Sequence, residues 1–209
     1  ESKFFQYDLN TKPVHWVEYD RAIAETGGNP ELEAKINNFP SNRRLIFIET
    51  GKNLGFAGGN NVAIRYALKG STDYIFLLNN DAIVTTETLQ ELIKAMTANP
   101  QFGVATPRIY YYDEPRRIWN SGGRLTITGS RHYYDLNHVD ARECSEASPT
   151  NIRVITFVTG CALLIRRGIL EKLGLLSEDF FIGEEDYDFS LRMKENKDKT
   201  VCVNNAHVY

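Results

Sequence analysis

Apolar positions along this chain fall into two kinds of pattern. Short continuous apolar runs, Leu45-Ile46-Phe47-Ile48 and Tyr74-Ile75-Phe76-Leu77-Leu78, are bounded by polar residues and read as strands, the second as a buried parallel one. After each run the period becomes helical. Val62, Ala63, Tyr66 and Ala67 share one face of a helix starting near Asn60 and ending near Gly70. Leu89, Leu92, Ile93 and Met96 keep the i, i+3, i+4, i+7 spacing of a second helix, capped by Thr85 or Thr86 and stopped by Pro100. Residues 103–106 form a further short strand.

Before residue 45 the pattern is weaker: a short strand around 14–17, a loop at Gly27-Gly28-Asn29-Pro30 and a short helix over 31–36. Residues 110–151, rich in Tyr, Arg, Asp and Gly, break the alternation and read as hairpins and loops, a binding insertion rather than a linker. Regularity returns over 154–165, strand-like around Thr159-Gly160. A helix over 167–173, a loop over 175–183, a helix over 185–194 and a strand over 200–203 follow. Alternating strands and helices predict an α/β fold, a mostly parallel sheet flanked by helices with an irregular insertion.

Composition narrows the function. The 209 residues suffice for one sizeable domain or two small ones, of which the alternation supports a single α/β domain, and a net charge of -3 leaves no nucleic-acid footprint. No apolar run approaches the roughly 20 residues that cross a bilayer, and no signal-peptide pattern opens the chain. Cys144, Cys161 and Cys202 are widely spaced and fit no zinc pattern; Cys161 and Cys202 lie in apolar or strand-like segments and read as buried thiols, which suits a reducing, cytoplasmic setting.

Three places carry candidate chemistry. Gly55, Gly58 and Gly59 mark a glycine-rich strand-to-helix turn, which is either a tight connection or an anion site at a helix start. It matches neither a P-loop nor the dinucleotide fingerprint. Asp81, with Asn79 and Asn80 before it, sits at the carboxyl end of a strand, where open α/β sheets bind ligands. It reads either as a turn residue or as a buried ligand for a divalent cation, which needs only one or two carboxylates when phosphates complete its shell. Glu184, Glu185, Asp186 and Asp188 follow an aromatic loop with a glycine hinge, and open a helix whose dipole they complement. One of them is suited to act as a general base. His132 and His138 read as solvated, and Trp119 as a packing residue or a sugar platform. Arg116-Arg117 and Arg166-Arg167 are candidates for an arginine beside a diphosphate.

Taken in order, four segments resemble family 2 glycosyltransferases, and most of all their rhamnosyltransferase-like branch. They are Asn53-Leu54-Gly55-Phe56-Ala57-Gly58-Gly59-Asn60-Asn61, Leu77-Leu78-Asn79-Asn80-Asp81, Thr159-Gly160-Cys161-Ala162-Leu163-Leu164-Ile165-Arg166-Arg167 and Glu185-Asp186-Tyr187-Asp188. The resemblance covers residues 45–209. It implies a GT-A fold with a donor and metal half at about 45–107 and an acceptor and catalytic half at about 108–209. It implies an inverting transfer from a UDP- or dTDP-sugar to a glycan or lipid-linked acceptor, with Mg2+ or Mn2+ as cofactor.

On this resemblance Asp81 matches the metal-binding acid, with Asn79 in place of the motif's first acid, and Asp186 matches the base. Asn53, Gly55, Gly58, Asn60 and Asn80 fall on the donor side, and Trp119, Gly160 and Glu185 on the acceptor side. A polysaccharide-assembly role at the inner face of the membrane, by peripheral association, follows from a lipid-linked acceptor. Family members usually begin with a strand, a helix and a base-binding strand, and carry a metal-binding His after the last strand. Glu1 falls after the first feature and Tyr209 before the second, so the chain is expected to be truncated at both ends. Two alternatives remain. A sugar nucleotidyltransferase would open with a basic glycine-rich loop, and a carbohydrate-binding relic of the fold would not hydrolyse a donor.

Overall fold

The structure is a computed structural model that describes residues 12–139, 151–196 and 198–209. Cys144 and part of the insertion lie outside the described residues. The chain divides into two compact units, Glu1–Thr72 with Glu178–Ile182, and Asp73–Ser177 with Gly183–Tyr209.

In the first unit β1 (His15–Asp20) runs parallel to β2 (Arg44–Glu49), with Trp16 opposite Leu45 and Tyr19 opposite Ile48. Helices α1 (Arg21–Glu25), α2 (Pro30–Ile36) and α3 (Gly55–Lys69) complete it. Each short helix has a local start signal. The Asp20 carboxylate accepts the Ile23 N–H, and Asn29 caps α2 ahead of Pro30. The period-2 alternation turns Val17, Tyr19, Ile46 and Ile48 toward Val62 and Tyr66 of α3. The hydroxyls of Tyr19 and Tyr66 both donate to Glu33 Oε1, at 2.8 and 2.9 Å. Burial, then this carboxylate, push the Tyr19 hydroxyl up to about 12.

Helix α3 begins at Gly55, ahead of the expected start near Asn60, so Gly58 and Asn60 lie inside the helix. Gly55 enters it at φ +72°, and its N–H donates to Asn53 Oδ1 at 2.9 Å. The Phe56 N–H donates to the Phe181 carbonyl at 3.0 Å. Burial of Ala57, Asn61, Val62 and Ile64 on one face outweighs the weak helix propensity of the glycines. The segment Glu178–Ile182 is fastened to α3 a second time, because Asn61 and Arg65 both donate to Glu178 Oε1.

In the second unit, β3 (Tyr74–Leu78), β9 (Ala162–Arg166), β4 (Phe102–Tyr110), β10 (Lys199–Val208) and β8 (Ile152–Ile155) lie side by side in that order. Short β5 (Ile118–Asn120) pairs with the end of β4, and β6 (Gly123–Leu125) with β7 (Arg131–Tyr133) makes a hairpin. The α/β class is as expected, but strand directions are mixed. Only β4 and β10 run parallel here, and β3 pairs antiparallel with β9. Thr159-Gly160 is not strand but the approach to β9, with Gly160 and Cys161 in its turn.

Helix α4 (Thr88–Ala98) packs Leu92, Ala95 and Met96 on Phe102, Ala105, Leu164 and Val201. Neither Thr85 nor Thr86 caps it. Glu87 stands at the N-cap without a capping side-chain bond, its carboxylate accepting instead from the Thr86 hydroxyl, and the Thr88 hydroxyl accepts the Thr85 N–H at 2.9 Å. Leu89, at 45% exposure, is off the buried face. Helices α5 (Arg167–Leu173) and α6 (Glu185–Glu195) close the unit. Among the described residues no helix is long and apolar enough to cross a membrane.

Two glycines of α3 test this account of its start. Gly55→Ala is expected to cost about 1–2 kcal/mol for left-handed backbone, and more because its Cβ would run into the Phe181 carbonyl. Gly59→Ala, in the helix with open space around it, is expected to stabilise by about 0.5–1 kcal/mol. Chemical denaturation of both variants measures the difference.

Candidate functional site

Pairing of β3 with β9 sets Leu78 opposite Ala162, so the residues after β3 emerge beside the turn before β9. The Asn79 N–H donates to the Cys161 carbonyl at 2.9 Å, and the Ala82 N–H returns to the Asn79 carbonyl at 3.2 Å. Asn79-Asn80-Asp81-Ala82 is thus a tight turn locked to Cys161. Asp81 and Asn80 are exposed, which corrects the expectation that Asp81 is not a surface charge. Exposure already begins at Leu78, the last residue of β3.

The Asp81 charge is felt at Cys161: burial, then this carboxylate, push the thiol up to about 11. Behind the turn, Ala82, Cys161 and Trp119 pack against one cluster of Ile109, Ala162 and Val208. The two backbone bonds between Ile83 and Tyr209, 2.7 and 2.9 Å, brace it from β10's side. His207 sits on that strand with its ring edge-on to Tyr110 and Nε2 3.1 Å from the Asn204 carbonyl.

The same turn meets the start of α6. The Gly160 N–H donates to Asp186 Oδ2 at 3.3 Å. Burial raises the Asp186 carboxyl above the usual carboxylate range, and the Glu185 charge adds to it. The N–H groups of Gly160 and Tyr187 and the charge of Arg131 pull the other way without prevailing. A carboxyl raised in this manner holds a proton more readily than a surface acid, as a general base must. Glu185 is only 5% exposed, and its Oε2 has no hydrogen-bond partner among the described residues. The other two acids are structurally engaged. Glu184, left-handed at φ +72°, pairs with Arg131, and Asp188 holds Arg192 one turn on.

The second unit therefore brings Asp81, Gly160, Cys161 and Asp186 together around one turn, with Glu185 next to Asp186 and Trp119 behind Cys161. Asn53, Gly55, Gly58 and Asn60 belong to the other unit. There Asn53 is exposed and bonded to Gly55, while the Asn60 amide donates to the Phe56 carbonyl.

Of the arginine pairs, Arg166 binds the carbonyls of Met96 and Phe102, Arg167 pairs with Glu171, and Arg117 pairs with Glu114. The arginine whose charge reaches Asp186 is Arg131, on the insertion's hairpin. Its only sequence signal is its place after Thr128-Gly129-Ser130, a turn inside that insertion. No group of three or more His, Cys, Asp or Glu suited to a metal occurs among the described residues. A lone exposed carboxylate fits a cation that arrives on a diphosphate and keeps phosphate and water ligands. It does not fit a cation caged by protein alone.

The raised carboxyl carries a consequence for stability. Because Asp186 binds its proton more tightly folded than unfolded, the folded state loses stability as pH climbs through its titration. Asp186→Asn is therefore expected to raise Tm at neutral pH, with the gain vanishing below the ordinary carboxylate range. Thermal melts across pH test this; an unchanged or lower Tm at neutral pH contradicts it.

Residues 22–174 match glycosyl transferase family 2. Over 162 residues the chain is 23% identical to the low-salt glycan biosynthesis hexosyltransferase Agl10 of Haloferax volcanii, covering 77% of this chain and 50% of that protein. The chain thus spans about half the length of the curated relative it matches. The structure of GalNAc-T7 with UDP, GalNAc and Mn2+ superposes with a TM-score of 0.58 at 15% identity, covering 88% of this chain and 36% of that one. At such identity the likeness is one of fold, and it agrees with the GT-A architecture. With the family matched across most of its length, the chain belongs to glycosyl transferase family 2.

Proposed function

We propose that this chain carries the transfer site of an inverting glycosyltransferase, which moves a sugar from a nucleoside diphosphate to a hydroxyl of a glycan or lipid-linked acceptor. The observation that carries the reading is the turn at Gly160-Cys161, which meets the Asp81 turn on one side and Asp186 on the other. Family membership supports the reaction class. A nucleoside-diphosphate-sugar donor is in keeping with the UDP and GalNAc bound to GalNAc-T7, and the choice of a UDP- or dTDP-sugar follows from the resemblance of the motifs to rhamnosyltransferase-like enzymes.

In this reading Asp81 lies at the diphosphate end, where a bound Mg2+ or Mn2+ would offset charge gathering on the leaving group. Asp186 accepts the proton of the acceptor hydroxyl as its oxygen bonds to the anomeric carbon and the bond to the diphosphate breaks. Gly160 holds Asp186 in place through its N–H, and the buried Glu185 beside it keeps the base from being a strongly dissociated acid. Trp119 offers an apolar ring to a sugar on the acceptor side. The assignment of Asn53, Gly55, Gly58 and Asn60 to the donor rests on their motif alone. A place at the cytoplasmic face of a membrane follows from a lipid-linked acceptor and belongs to the same proposal.

The test is release of diphosphate from a panel of UDP- and dTDP-sugars, with and without Mn2+, and with simple glycans as acceptors. Metal-dependent release is expected, lost in Asp81→Ala. Asp186→Asn is expected to slow transfer by about 10²–10⁴-fold while diphosphate binding persists. A folded chain that binds glycans yet releases no diphosphate under any condition contradicts the proposal and favours a non-catalytic carbohydrate-binding role.

A further inference from the structure

Hairpin β6–β7 is attached to the first turn of α6 by two side chains, one from each partner. The Tyr187 hydroxyl donates to the Gly129 carbonyl at 2.7 Å, at a turn residue whose φ of +84° suits glycine. A Cβ on Gly129 would stand 2.9 Å from that hydroxyl, so the close approach also calls for glycine. From the hairpin, Arg131 reaches back. Its guanidinium pairs with Glu184, lies 4.7 Å from the centre of the Tyr187 ring and 5.4 Å from that of Phe157. Phe157 is itself tied to the hairpin, since its carbonyl accepts the Gly123 N–H at 2.9 Å.

Arg131 is thus stacked and ion-paired at once, a combination that a planar guanidinium can meet and an ammonium cannot. Burial disfavours its charge, but Tyr133, Glu184 and Asp186 outweigh that. Among the described residues, the charges that act most on Asp186 are Glu185 on its own helix and Arg131 on β7, with N–H groups from Gly160 and Tyr187. Glu185 works against ionisation of Asp186, and the Arg131 charge opposes it.

We propose that Arg131 is the positioning residue of the transfer site: it fastens hairpin β6–β7 to the start of α6 through Glu184 and Tyr187, and so sets its positive charge beside the helix turn that carries Asp186. This rests on the reading of Asp186 as the base. Arg131 does not touch the reacting atoms; it acts through the acid.

Carboxyl ¹³C NMR titration of the whole chain tests it, with the Asp186 resonance identified by its loss in Asp186→Asn. Amide exchange across residues 123–133 is read alongside. In Arg131→Met the Asp186 midpoint is expected to move up and hairpin exchange to quicken. In Arg131→Lys, which keeps the charge but loses the stacked fork, the midpoint is expected to return toward the wild type while exchange stays fast. In Tyr187→Phe, exchange at Gly129 is expected to quicken with the midpoint unmoved. An Asp186 midpoint unmoved in Arg131→Met overturns the inference. If that variant does not fold, Arg131→Lys decides, and wild-type exchange there overturns it. The titration needs neither donor nor acceptor, so absence of transfer would defeat the proposed function without deciding the role of Arg131.

Discussion

The site depends on the antiparallel register between β3 and β9. With Leu78 opposite Ala162, the backbone bond from Asn79 to Cys161 fixes two turns against each other, one bearing Asp81 and the other bearing Gly160. From there a single N–H reaches Asp186 on α6. Slipping the register by one residue would turn every side chain of β3 to its other face and carry Asp81 away from Cys161. Pairings of β9 with β4 and of β4 with β10 hold β9 in the interior of the sheet, where Leu163, Leu164 and Ile165 are fully buried. The turn at Gly160-Cys161 is therefore set by a buried interior strand.

Charge at the start of α6 is costly, and the fold tolerates it unevenly. Four acids crowd this segment, which the helix dipole favours only in part. Glu184 and Asp188 are offset by arginines, while Asp186 and Glu185 are left close together and largely withdrawn from solvent. Strained entry to the helix at Glu184, in the left-handed region, accompanies this. A stability-optimised helix would carry neither feature, and both concentrate at functional sites.

Local signals made much of this legible. The apolar run Tyr74 to Leu78, the helix Arg167–Leu173 and the acid-rich opening of the last helix stand where periodicity and capping chemistry put them. Strand direction did not, because β3 takes its partner from a strand more than 80 residues away and the run of apolar residues is the same for either direction. The start of α3 was hidden because glycines argue for a turn, whereas burial of Ala57, Asn61 and Val62 decides for a helix. Arg131 was hidden for a third reason. Its partners Glu184 and Tyr187 lie more than 50 residues further along the chain, and an arginine in a polar hairpin looks like any solvated charge.

The central claim is that Asp81 and Asp186 serve one site across the Gly160-Cys161 turn. Paramagnetic broadening by Mn2+, added with uridine or thymidine diphosphate, measures this directly. The account predicts that broadening centres on Asp81, reaches the Gly160 amide and the Asp186 carboxyl, and disappears in Asp81→Ala. Broadening that spares Gly160 and Asp186, or that survives loss of the Asp81 carboxylate, would contradict it.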